Sequence, residues 1–118
     1  MNLHPSEIAL LTDLSRSKSS WTSNALEALT DPENSIWIEN KEAWKNLAER
    51  LSDQHSKDDF AAVISELLAG FVHSTLVSFD GGTALADTTI VSIHDSEGYE
   101  FKRFLHEFWP DFSNDTKP

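Results

Sequence analysis

The chain carries 20 acidic and 9 basic side chains in 118 residues, for a net charge of −11, with 39% hydrophobic residues and no cysteine. That length suits a single domain over 1–118, and four Trp, seven Phe and one Tyr set it apart from disordered acidic chains. The absence of Cys removes disulfides, thiolate metal sites, a cysteine nucleophile and redox motifs; no run of 18 apolar residues and no basic, apolar leader is present, so the reading is a soluble, cytoplasmic protein without a membrane partner.

Ile8, Leu11 and Leu14 recur at three-residue steps and predict a first helix over 5–15, with Ser6 as its cap. The serine-rich, locally basic stretch 15–20 reads as a solvated connection to a second short helix over 21–29. A turn at Thr30-Asp31-Pro32-Glu33-Asn34 and a brief extended piece at 35–39 follow. Ala43, Trp44, Leu47, Ala48 and Leu51 form the stripe of a helix over 41–52, with Asn40 in the cap position. Ser56-Lys57-Asp58-Asp59 has capping-box spacing, with Asp in place of Glu or Gln. Phe60, Val63, Ile64, Leu67, Leu68, Phe71 and Val72 then give the strongest helical period in the chain. At Leu76-Val77-Ser78-Phe79 helix and strand are both open, and the helix is expected to end before Gly81-Gly82.

The β-branched run 88–94, the turn Asp95-Ser96-Glu97-Gly98 and Tyr99-Glu100-Phe101 predict a small antiparallel hairpin. Phe101, Phe104, Leu105 and Phe108 return to helical spacing until Pro110, which is expected to stop the helix and leave a frayed tail over 111–118. The expected fold class is therefore α+β: a mainly helical single domain with a small hairpin near its C-terminus.

Nucleotide-binding glycine motifs, the serine-hydrolase elbow and the zincin pair are absent; His106-Glu107 opens like the last of these, but Pro110 stands where the second histidine belongs. The reading leans away from an enzyme and assigns no catalytic residue and no cofactor. Asp80-Gly81-Gly82 is a good turn by local chemistry, and Asp95-Ser96-Glu97-Gly98 lacks the distant acid of a calcium loop. An alternative is a metal-assisted site drawing on His73, His94 and His106, with carboxylates in the same half of the chain.

Charge gives the other direction. From Asp58 to Phe101 there is no Lys or Arg, a stretch of 44 residues that disfavours nucleic acid and favours a basic protein partner. Asp80, Asp87, Asp95 and Glu97, with Trp109 as an aromatic anchor, are the candidate partner-binding residues. Trp44 reads as core, and Trp21 and Trp37 lie at element edges. The segment Leu76-Val77-Ser78-Phe79-Asp80-Gly81-Gly82-Thr83-Ala84-Leu85-Ala86-Asp87, with Asp95-Ser96-Glu97-Gly98 and Phe104-Leu105-His106-Glu107-Phe108, resembles a pattern in small acidic bacterial proteins of uncharacterised function, over about a third of the chain. In size, acidity and lack of cysteine the chain is also similar to bacterial toxin-immunity proteins. That resemblance implies an acidic interaction module, an immunity-type inhibitor of a basic toxin or nuclease domain; an assembly subunit is the further alternative. Oligomeric state is left open.

Overall fold

In a computed structural model that describes residues 3–102 and 104–113, the order of elements is α1 (Pro5–Thr30), a 3₁₀ turn (Pro32–Asn34), α2 (Lys41–Arg50), α3 (Gln54–Phe79), a second 3₁₀ turn (Ala84–Asp87) and α4 (Leu105–Ser113). No strand or sheet is found among the described residues, 71% of which are helical. The fold is mainly helical, all-α, and the expected α+β class is corrected.

The hairpin fails at a definite point. Its turn forms: Asp95 Oδ1 accepts the N–H groups of Glu97 and Tyr99, both at 2.9 Å, and Gly98 takes φ +85°. Pairing beyond it stops at one antiparallel bridge, His94 with Glu100. The N–H of Lys102 goes to the Glu7 carboxylate at 2.6 Å, and the chain then turns away through Phe104 at φ +71°. Across the turn Ile93 O still accepts the Phe101 N–H at 2.8 Å, but among the described residues 88–92 have no partner strand, and a ladder of one bridge is no sheet.

Three helices also run further than their sequence suggests. The expected connection at 15–20 lies inside α1. That stretch holds no Gly or Pro to break a helix, and Ser costs little there. Positions 11, 15, 18, 22, 25 and 29 continue one inward stripe straight through it. α3 starts before the expected Ser56 box, because Asp53 receives the Ser56 N–H at 2.8 Å and the Ser56 hydroxyl at 2.9 Å. At its other end Leu76–Phe79 is helical, closed by a Schellman arrangement with Gly81 at φ +81° and the Gly82 N–H on Val77 O at 2.9 Å. Pro110 sits within α4 rather than ending it. Of the expected tail, 111–113 is helix and 114–118 lies outside the described residues. Asn40 precedes α2 but makes no side-chain cap bond.

Contacts divide the chain into two compact units, Met1–Ser17 with Ala69–Pro118, and Lys18–Leu68. In the first, Leu11, Leu76, Leu105 and Trp109 form the buried core, with Leu10, Leu14, Val72 and Phe79 packed on it. Trp109 donates its indole N–H to Ala69 O at 3.0 Å, and Ser15 Oγ donates to Phe112 O at 2.7 Å; these bonds hold α4 in place despite the hydrogen bond that Pro110 cannot make. In the second unit Ala25, Ala28 and Leu29 are buried. Trp21, Trp37, Trp44 and Phe60 form a chain of edge-to-face contacts at 5.3, 5.8 and 6.1 Å. Lys45 and Lys41 reach Glu33 at 2.5 and 3.9 Å, tying α2 to the first 3₁₀ turn.

Candidate functional site

The N-terminus of α1 is held by a polar cluster in the first unit. His4, not Ser6, occupies the cap position: its Nδ1 accepts the Ser6 N–H at 3.1 Å, while Glu7 Oε1 accepts the His4 N–H at 2.8 Å, a capping box with imidazole in the serine place. Ser6 instead donates its hydroxyl to Asp95 Oδ2 at 2.6 Å. That bond first, then the Tyr99 and Glu97 N–H groups, holds the Asp95 carboxyl below its ordinary range. Tyr99 stacks on His4 with ring centroids 3.7 Å apart; burial first, then the charge and hydrogen bond of Glu7, pushes its phenol up. Glu7 is 0% exposed, and its two oxygens are taken by the His4 and Lys102 N–H groups. This cluster has a complete structural task.

Asp80 has a comparable one. Its buried carboxylate accepts the backbone N–H of His106 at 3.0 Å at the start of α4 and lies 2.6 Å from His106 Nδ1, where the helix dipole favours an anion. His73 meets His106 edge-on at 5.5 Å. His94 stands apart with Glu100, Nε2 to Oε1 3.4 Å. The three histidines of the metal alternative are therefore not brought together, and among the described residues no set of three His, Asp or Glu side chains could hold a metal ion. A cavity of about 20 Å³ beside Asp80 and Phe101 has room for about one water.

Of the five expected partner-binding residues, Asp87 and Glu97 are exposed and Asp95 is half-buried within its turn. Asp80 and Trp109 are buried, one capping α4 and the other filling the core, so neither offers a surface to a partner.

The open surface lies elsewhere. In the first unit Leu10 and Leu14 of α1 face Phe71, Val72, Thr75, Leu76 and Phe79 of α3 across a groove of about 250 Å³ whose lining is apolar throughout. The one hydroxyl among these residues, Thr75 Oγ1, is spent on Phe71 O at 2.9 Å. Phe71 is 72% exposed. The helical period over 60–72 includes Phe71 without separating it from the covered residues; the signal in the sequence is an apolar arc on α3 wider than one buried face requires. By length and composition α3 is apolar enough to cross a membrane or to serve as a core helix, yet only 6% of its most apolar 18 residues is buried. Comparison with family models, with curated proteins and with solved structures finds no match to this chain.

Proposed function

We propose that this chain is an acidic interaction module that captures a basic protein partner, in the manner of an immunity-type inhibitor acting in the cytoplasm on a basic toxin or nuclease domain. The observation that supports this most is the 44-residue stretch without Lys or Arg, in which Asp87, Glu97 and Glu100 of the first unit and Asp58, Asp59 and Glu66 of the second are exposed. Such carboxylates speed encounter with a basic surface and pair with its Lys and Arg, and added salt screens both effects. Inhibition would follow from occlusion, with no chemistry asked of this chain.

The test is capture from a lysate of the source organism on the immobilised chain, eluted in a salt gradient, with Asp87→Lys/Glu97→Lys as the comparison. A basic protein released at intermediate salt in fixed stoichiometry, and lost or weakened on the charge-reversed chain, is the expected result. An identical captured set on both chains, or none on either, overturns the reading.

A further inference from the structure

We propose that the apolar groove of the first unit is the seat for an amphipathic helix of that basic partner, with the partner's apolar side chains between Leu10 and Leu14 on one wall and Phe71 and Thr75 on the other. This rests on the preceding reading and names its site. Four observations carry it. The groove has two helical walls and no polar lining, the form that receives the apolar face of a third helix. Its volume of about 250 Å³ lies below the roughly 300–1,000 Å³ of small-molecule sites, which fits side-chain anchors better than a free ligand. Phe71 stands 72% exposed on its wall, and the Thr75 hydroxyl is already bonded to Phe71 O, so the surface on offer there is apolar.

Charge selects the occupant. Asp13, three residues from Leu10, is exposed at the groove's α1 side; the other exposed charges of this unit among the described residues are Asp87, Glu97, Glu100, Glu107 and Asp111 against Arg16 and Lys102. A second copy would bring the same excess of carboxylates, and an anionic bilayer would be repelled in the same way. A helix with Lys and Arg flanking its apolar face meets the groove and its surroundings together.

The probe is a fluorescein-labelled peptide of Leu and Lys, about 20 residues long, past the length at which isolated helices are marginal, with Leu at helical spacing. A scrambled peptide of the same composition is its control. Anisotropy is read at low and high salt for the full chain, for Phe71→Ser and for Thr75→Lys. Phe71 is exposed, so its replacement leaves the core intact, and circular dichroism verifies this for both variants. The expected result is preference for the helical-spaced peptide by about tenfold, lost in both variants, while the scrambled peptide binds all three chains weakly and is released by salt.

Equal binding of both peptides, unchanged by Phe71→Ser and Thr75→Lys yet released by salt, overturns the groove and leaves the acidic module standing. Failure of both peptides to bind at low salt overturns both. Sedimentation of the chain alone, and flotation with zwitterionic vesicles, complete the test: a dimer or a vesicle complex abolished by Phe71→Ser puts another occupant in the groove and overturns the proposal.

Discussion

Asp80 and His106, 26 residues apart, are joined twice: one carboxylate oxygen accepts the His106 backbone N–H at 3.0 Å and lies 2.6 Å from the His106 ring nitrogen. The first bond satisfies an N–H that the start of α4 otherwise leaves open; the second fixes the ring. Asp80→Ala removes both at a buried position and is expected to cost about 2–4 kcal/mol in urea unfolding. Asp80→Asn, which keeps an acceptor for the N–H, is expected to lose less. Equal losses for the two variants would show that the hydrogen bond to the helix start contributes nothing.

Trp109, 2% exposed, is expected to behave as core and not as an anchor for a partner. Trp109→Ala should destabilise by about 3–5 kcal/mol. Trp109→Phe should lose about 1–3 kcal/mol through the unmatched Ala69 carbonyl. Partner or peptide binding, measured well below the melting temperature, should survive Trp109→Phe.

The end of α3 makes a third prediction. A Cβ at Gly82 would stand 2.8 Å from Val77 Cγ1, so Gly82→Ala must push Val77 or open the bond to Val77 O, at a cost of about 1–3 kcal/mol. At Gly98 nothing lies within 4 Å of an added Cβ, but φ is +85°, so Gly98→Ala costs about 1–2 kcal/mol through the backbone alone. Gly98→Asn should recover part of that loss while Gly82→Asn recovers none, and thermal melts of the four variants check this.

The pH dependence follows from Asp95 and Tyr99. The folded Asp95 carboxyl lies below its ordinary range because the Ser6 hydroxyl, before other donors, favours its charged form. Its contribution is therefore fully present above about pH 4 and is lost as pH falls through the lower folded value. Tyr99 has the opposite sign: its phenol is raised, chiefly by burial, so its contribution holds below about pH 10 and is lost as pH rises through the higher folded value. Ser6→Ala should flatten the acid limb of a melting-temperature profile and leave the alkaline limb in place. An unchanged acid limb would remove Ser6 as the cause.

Much of the helical plan was legible because period is a property of sequence alone: the run from Phe60 to Val72 announces α3 directly. What that run cannot announce is which apolar residues are covered, since Val63, Leu67 and Phe71 share its spacing and remain exposed. The continuity of α1 was hidden because Ser15, Lys18 and Thr22 occupy its inward stripe. Ser15 is 1% exposed and earns burial by a hydrogen bond to Phe112 O, a partner 97 residues away. Residues 88–94 have β propensity, but propensity needs a partner strand to act on, and the chain turns off at Phe104 before supplying one. In sequence Asp80 and Trp109 look like surface residues because a buried cap and a buried anchor use the same residue types as an interface. His4 and Glu7 at capping-box spacing around Pro5 were a readable signal, masked by the more ordinary Ser6.

The first unit is assembled from both ends of the chain, with residues 1–17 meeting 69 onward, whereas the second is one uninterrupted segment, Lys18–Leu68. On a ribosome that adds residues in order, the second unit has all its parts while α4 is still unmade. The opening turn of α1 must wait, because Glu7 reaches across 95 positions to the Lys102 N–H and Leu11 packs with Trp109 in the same core. During that wait Leu11 lacks Trp109 of α4, its partner in the buried core, so the long-range contact that closes this unit is the last to become available.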